Sequence, residues 1–500
     1  MNFRFTKNYK AIVLILAVIF VIFLRIPSIF EPHWYNDEGI FANNGIQILS
    51  GAKMYLDVWD HKPPLIFLVF TVSSLLGNTL QFAKIFATIF TVLTFIAIWW
   101  QINANYGKKG FLTIVVLTTL LLNSYLFESN IVTPEIFMVS FAIFGFIFWE
   151  KQKYILSGVL FAIGGLFKPN LWFEAGMFCL VLYFVDLFSR ILVQKIEENR
   201  FAKFYGLIFQ DFQKYIKFIF SFLAIVIVSI IPFYIQGTFE NYFQSVFRSN
   251  FDYVNITDSV LSSTLLLEFV ILVLGVIGGI LLKIRNTNHQ NYVFFIAGLS
   301  GFLLSSRLYG HYYIEMIPPS ILLLSTFVFD NIESLHVRLK QSVYFVLWGI
   351  IFGLIAFQIT DERFTYVLNY DSYLKNEITY HELMNPFWKL DKGGNDVYAI
   401  SEYVKSKYRG EYVYYAGNNS WFYILSETRN ASPYIVYYHN WFGRKFRGLE
   451  TLDKIKSNNA KAIVLWEDES LFTVLKEYVD ENFVLDTDYA VDKYRLYIRK

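Results

Sequence analysis

Long apolar runs separated by short polar stretches occupy residues 9–360, and helical and strand signals alternate only in the last fifth of the chain. A helix that crosses a bilayer needs ~20 mainly apolar residues, with ~17 as a practical minimum. The runs predict eleven spans, at roughly residues 9–27, 82–102, 111–127, 135–150, 154–168, 170–192, 217–235, 264–283, 292–306, 314–329 and 342–360. Residues 64–76 are apolar but make only 13 positions between Pro63 and Gly77, so they are expected to form a short interfacial or re-entrant segment. At the amino end, Arg4, Lys7 and Lys10 precede an apolar stretch from Ala11 to Leu24 that looks like a signal peptide. Arg25, Ile26 and Pro27 offer no small-residue cleavage site, which predicts an uncleaved signal anchor with a cytoplasmic amino terminus.

Basic residues orient these spans, because cytoplasmic loops carry the excess of Lys and Arg. With eleven spans, the cytoplasmic segments hold sixteen Lys and Arg, among them Lys108, Lys151, Lys214 and Lys283. The outer loops before residue 361 hold five: Lys53, Lys62, Lys168, Arg248 and Arg307. A twelfth span at 64–76 would put the loops after residue 102 on the wrong sides. Residues 28–63, 127–134, 168–170, 236–263 and 306–313 are therefore expected to face one compartment, together with the tail.

Composition agrees and removes some functions. Of the chain, 55% is hydrophobic and 17% charged, with a mean hydropathy of +0.41, beyond what a water-soluble surface tolerates. A net charge of +2 from 43 basic and 41 acidic residues argues against nucleic acid as a partner. The single cysteine, Cys179, rules out an intrachain disulfide or a CxxC metal knuckle within the chain. From Asp361 onward lie 40 of the 84 charged residues but 7 of the 53 phenylalanines, so the chain leaves the bilayer near residue 360. The expected organisation is a membrane body over residues 1–360, a connector over 361–391 and an α/β domain over 392–500. In that domain we expect helices at 397–408, 421–427, 449–458 and 471–482, with strands at 412–416, 434–438, 461–466 and 494–498.

The first outer loop, EPHWYNDEGIFANNGIQILSGAKMYLDVWDHKPPL, brings Asp37, Glu38, Asp57, Asp60, His61 and Lys62 close to the membrane. Adjacent carboxylates at a low-dielectric boundary need hydrogen bonds, a cation or a chemical task. Asp37 suits a general base for an acceptor hydroxyl, with Glu38 assisting. Alternatively, Asn36 and Asp37 cap a helix that begins near Gly39. Lys62, held by Pro63 and Pro64, suits a phosphate, although lysines also snorkel at helix ends. Lys168, Arg307 and His311 pose the same choice on the same face, and Glu135, after Pro134, is either a second acid of the cavity or a helix first-turn acid. Glu174 and Asp186 sit in predicted spans without an assigned role. Asp60 and His61 are candidates for a divalent ion, which a solvated loop explains more simply. Walker A, GxSxG and GxGxxG patterns are absent, so nucleotide hydrolysis, serine-hydrolase and NAD chemistry lack support.

The order of these features carries a resemblance. An Asp-Glu pair early in the first outer loop, WDHKPPL some 20 residues later, PE in the second outer loop, KP after a span and RLYGHYYIEMIPP late in the body resemble the bacterial GT-C glycosyltransferases. Within them the chain looks most like the protein O-mannosyltransferase and aminoarabinose-transferase group, over roughly residues 9–360. The resemblance implies a polytopic α-helical membrane protein of the inner membrane. It implies inverting transfer of a sugar from a polyprenyl-phosphate donor to a periplasmic acceptor hydroxyl on lipid A, envelope polysaccharide or protein. By the same resemblance, Asp37 matches the catalytic acid of the first loop and Glu38 its neighbour. Lys62 matches the lysine at the lipid phosphate, and Arg307 and His311 the late-loop positions of the donor pocket. Glu135 stands where Asp is more common. No cofactor is certain, and metal use varies within the superfamily. Two alternatives remain, a polymerase or ligase using lipid-linked polysaccharide and a membrane transporter. The tail is expected to cap the active site and select the acceptor.

Overall fold

A computed structural model describes residues 7–105, 107–193, 201–254, 258–285, 287–305, 309–332, 335–390, 394–444, 447–466, 473–488 and 494–500. The chain opens with α1 (Lys7–Ile29), α2 (Asn36–Leu49), α3 (Pro64–Leu75), α4 (Thr79–Ile102) and α5 (Phe111–Asn123). It continues with α6 (Pro134–Glu150), α7 (Tyr154–Gly165), α8 (Asn170–Val193), α9 (Phe201–Ile235), α10 (Phe239–Phe243) and α11 (Ser249–Val254). The membrane part closes with α12 (Asp258–Ile284), α13 (His289–Leu304), α14 (Ile317–Thr326) and α15 (Val337–Thr360). A helical stretch stands at each of the eleven expected spans, and among the described residues seven helices are long and apolar enough to cross a membrane. At 12 residues, α3 rises only ~18 Å, short of a ~30 Å hydrocarbon core.

The chain divides into two compact units. The first combines Met1–Ser28, Ile85–Ile231 and Val254–Thr360. Its apolar helices meet through aromatic stacks, such as Phe146 on Phe294 at 4.5 Å and Phe137 on Phe167 at 5.0 Å between ring centroids. Buried hydroxyls add polar links between helices: Thr94 and Ser140 lie 2.6 Å apart, and Ser140 also donates to the Phe90 carbonyl at 2.8 Å.

The second unit joins three separated stretches, Ile29–Lys84, Pro232–Tyr253 and Asp361–Lys500. Its centre is α2, buried without interruption from Glu38 to Gly45. A helix buried on every side belongs to an interior, not to a solvated loop. Phe41 packs on Phe67 and Phe70 of α3, and a Cβ on Gly45 would come within 2.7 Å of the Phe70 backbone. The expected connector is helical, with α16 (Glu362–Leu374) and α17 (Tyr380–Leu390). Tyr366 donates to the Phe30 carbonyl at 3.1 Å, and Phe387 packs on Trp34, so the connector covers the start of the first outer loop.

The tail forms the expected α/β domain, with α18 (Gly394–Tyr408), β1 (Tyr412–Ala416), α19 (Phe422–Leu425), β2 (Arg429–Asn430), α20 (Gly448–Ser457), β3 (Ala462–Trp466), α21 (Thr473–Asn482), β4 (Phe483–Leu485) and β5 (Tyr494–Arg499). The sheet order is β2-β1-β3-β5-β4. β1 runs parallel to β2 and β3, while β5 runs antiparallel to β3 and β4. The strand expected at 434–438 is not formed. The two-residue β2 already takes the place beside β1, pairing Tyr412 with Arg429, and Pro433 lacks the N–H a ladder needs. The Pro433 carbonyl instead accepts from the Trp59 N–H at 3.1 Å, and a 3₁₀ turn follows at Tyr437–Arg444.

Candidate functional site

Within the second unit, the end of the first outer loop is organised around Asp60, which is 3% exposed. Its carboxylate accepts the backbone N–H groups of His61 at 2.5 Å and Lys62 at 3.1 Å. The His61 Nδ1 lies 2.9 Å from the same carboxylate oxygen, and the Lys62 ammonium lies 2.7 Å from His61 Nε2. An ammonium can only donate, so Nε2 accepts and the proton of the neutral imidazole sits on Nδ1. Burial, reinforced by the Lys62 charge, lowers the His61 pKa against the opposing pull of Asp60 and Asp37, which keeps the ring neutral. Burial by itself would raise the Asp60 pKa, but the His61 ring and the Lys62 ammonium outweigh it and hold the carboxyl below the usual range. The backbone is pinned as well. Tyr55 donates to the Lys62 carbonyl at 2.8 Å, and the Asn250 amide donates to the His61 carbonyl at 2.7 Å.

Asp37 lies half-buried in the first turn of α2, and its charge is felt at His61. The helix begins at Asn36 and its N-cap, Tyr35, makes no side-chain cap. Asn36 is engaged elsewhere: its carbonyl accepts from the Ser420 hydroxyl at 2.5 Å, and its side-chain oxygen accepts the Ser420 N–H at 3.2 Å. Trp421 donates its indole N–H to the Tyr35 carbonyl at 3.1 Å and packs on His33 at 4.5 Å between rings. Gly39 is required here, since a Cβ would fall 2.1 Å from the Ser420 Oγ.

Glu38 is fully buried and faces a cation that sequence reasoning passed over. Lys84 places its ammonium 3.5 Å from Glu38 and 2.9 Å from Glu31, all three side chains closed to solvent. Trp34 adds an indole N–H to Glu31 at 3.4 Å. The signal was present in the sequence, because a lone lysine in the first turn of an apolar run demands an acidic partner. The other face of the loop is walled by the tail. Trp59 packs on Tyr434 at 5.6 Å and on His439 at 5.0 Å, with the Arg447 guanidinium 4.6 Å above its ring. Burial brings the His439 pKa down to about 3, so this ring is neutral too. Tyr55, Trp59, Arg248, Asp252, Arg447 and Glu450 contribute to the lining of a cavity of about 570 Å³.

The first unit holds a second cluster. Glu135, in the first turn of α6, lies 2.8 Å from the Lys168 ammonium, which is also paired with Glu315. The same ammonium sits 3.8 Å from the centre of the Tyr312 ring. Two buried carboxylates thus already neutralise Lys168. Glu315 was not singled out from the sequence, although it lies inside the motif that drew attention to His311. The His311 Nδ1 is 2.6 Å from Glu128, whose backbone adopts a left-handed φ of 50°. Arg307 lies outside the described residues. Among the described residues, no group of three or more His, Cys, Asp or Glu is arranged to hold a metal ion; Asp60 and His61 are bonded to each other.

No family model and no curated protein matches the chain. Solved structures share its fold, two of them of one protein. One is ArnT from Cupriavidus metallidurans bound to undecaprenyl phosphate, at 12% identity, with 98% of each chain covered and a TM-score of 0.57. The other is the same protein in the apo state, at 10% identity, again with 98% of each chain covered and a TM-score of 0.50. The fold expected from the sequence resemblance, a polytopic helical body with a small C-terminal sheet, is the fold observed.

Proposed function

We propose that the chain is an inverting glycosyltransferase that moves a sugar from a polyprenyl-phosphate donor to an acceptor hydroxyl on the periplasmic side of the inner membrane. The observation that carries the reading is the neighbourhood of Asp37, His61 and Lys62. Lys62 is partly open to solvent and bonds through its side chain to the His61 imidazole, which supports a role as the cation that meets an incoming phosphate. Asp37 supplies a carboxylate within electrostatic reach of that imidazole. Further support comes from the fold shared with ArnT, which has been crystallised with undecaprenyl phosphate.

In this reaction the acceptor oxygen forms a bond to the anomeric carbon as the bond from that carbon to the phosphate oxygen breaks. The acceptor proton passes to Asp37, and polyprenyl phosphate leaves with its growing negative charge held by Lys62. Displacement from the opposite face inverts the anomeric centre. Glu38 acts through Lys84, fixing the turn of α2 that presents Asp37. Glu135 and Lys168 pair with each other, Lys168 also pairs with Glu315, and His311 contacts Glu128, so no step of the reaction is assigned to these three residues.

The test is to incubate the purified protein with a panel of polyprenyl-phosphate sugars and acceptors and to measure polyprenyl phosphate released. Removing a positioned general base costs on the order of 10²-fold or more, and Asp37→Asn is expected to lose at least that much. Lys62→Ala is expected to lose turnover as well. Wild-type rates in both variants would remove the site assignment, and solute flux in proteoliposomes without any sugar transfer would replace the enzyme by a transporter.

A further inference from the structure

In the second unit, a cleft of about 680 Å³ is lined by the C-terminal half of α2 and by the edge of the tail sheet. Asn43, Gln47 and Ser50 of α2 contribute one wall. Asn430 of β2 and Asn458, directly after α20, contribute the other, and β2 stands at the end of the sheet order. Gln47 lies ten residues beyond Asp37, ~15 Å further along the helix, so this space is set apart from the carboxylate assigned to transfer.

Two of the side-chain amides that border the cleft are incompletely bonded. The Asn43 Oδ1 accepts from the Gln47 amide at 2.9 Å, and the Asn430 Oδ1 accepts the Ser432 N–H at 3.0 Å. These bonds set the orientation of each amide and leave its Nδ2 to find an acceptor. Neither Nδ2 has a hydrogen-bond partner, although the two residues are only 4% and 6% exposed. A buried donor without an acceptor is uncommon and costly, and the cleft is the open space that both side chains border. Asn458 gives its own Nδ2 to the Ala431 carbonyl at 3.0 Å, which leaves its oxygen to accept.

The charges of the cleft balance. Asp57 and Glu427 line it against Arg429 and Lys454. Lys454 stands 3.9 Å from Asp57, and Glu427 is paired with Lys405 at 2.7 Å and Arg409 at 2.6 Å. Amides that offer donors and acceptors together, in a space without net charge, match hydroxyl groups, which also do both. We propose that this cleft binds a neutral oligosaccharide, whose hydroxyl oxygens accept from Asn43 and Asn430. Its volume lies within the ~300–1,000 Å³ of small-molecule sites. Binding here does not depend on the transfer reaction proposed above.

Isothermal titration calorimetry of the full-length protein tests this, in a detergent without a sugar headgroup. The probes are neutral tetrasaccharides of glucose, mannose and N-acetylglucosamine, with tetragalacturonate as the charged counterpart. At least one neutral tetrasaccharide is expected to bind saturably, and about tenfold more tightly than tetragalacturonate. Asn430→Ala is expected to weaken that binding by about fivefold, the worth of one hydrogen bond. Ala52 lines the same cleft and is half-buried, so Ala52→Trp obstructs the space while all four amides stay in place, and it is expected to abolish binding. Absence of saturable binding by every neutral tetrasaccharide overturns the proposal. Tighter binding of tetragalacturonate, or a folded Ala52→Trp variant that binds like wild type, overturns it as well.

Discussion

At the scale of single residues, the lysines singled out above occupy two kinds of setting. Lys84 and Lys168 each sit between two buried carboxylates, whereas Lys62 rests on a neutral histidine. An ammonium already matched by anions has little attraction left for a phosphate, so equal residue types carry different roles. Removing one member of a buried charge network costs ~3–5 kcal/mol because the remaining charges lose their compensation. Lys84→Met is therefore expected to lower stability by about that amount, because it takes away the cation that Glu31 and Glu38 share. Glu38→Gln, which keeps the 2.9 Å contact of Lys84 with Glu31, is expected to lose clearly less. Thermal unfolding of the purified variants checks the order, and equal midpoints for Lys84→Met and wild type would show that the triad holds nothing together. The sequence exposed Asp37, Glu38 and Lys62 because polar residues at a membrane boundary are conspicuous. It concealed Glu31 and Lys84, 53 positions apart, because no local pattern announces a partner at that distance.

At the scale of elements, the apolar runs were read well because bilayer thickness imposes a length on them, and length is visible without tertiary structure. The α3 segment illustrates the same logic in reverse, since its 12 residues stop well short of that length. The residues at 434–438 failed as a strand for a reason the chain does not print locally: their β-rich composition is packed against Trp59, not laddered onto β1. Close contact between α2 and α3 was also invisible, because a glycine inside a helix looks like a weakness until its neighbour is known. Gly45 lets the Phe70 backbone approach, so Gly45→Ala forces the two helices apart. Overpacking of this kind costs ~1–3 kcal/mol. A matching Gly176→Ala change, facing open space, is expected to be neutral or mildly stabilising, since alanine favours a helix. Denaturation midpoints of the two variants should separate accordingly.

At the scale of the whole molecule, the tail and the first outer loop are parts of one unit, although more than three hundred residues of sequence lie between Asn36 and Ser420. From the sequence, the tail looked like a cap that selects the acceptor, which predicts that a chain lacking residues 392–500 still hydrolyses the donor while losing transfer. The contacts argue for a stronger dependence. Ser420 and Trp421 fasten Asn36 and Tyr35, the residues from which α2 starts, and Tyr434 and Arg447 cover Trp59 beside Asp60. Deleting the tail would uncover Trp59 and release the first turn that carries Asp37 and Glu38. Both donor hydrolysis and sugar transfer are therefore expected to disappear in the deletion. Ser420→Ala, which removes one hydroxyl donor and leaves the fold of the domain in place, should reduce both rates together by a modest factor. An assay that follows polyprenyl phosphate and transferred sugar in parallel distinguishes the two pictures: hydrolysis that survives the deletion means that the loop keeps its shape unaided and that the tail is an acceptor cap alone.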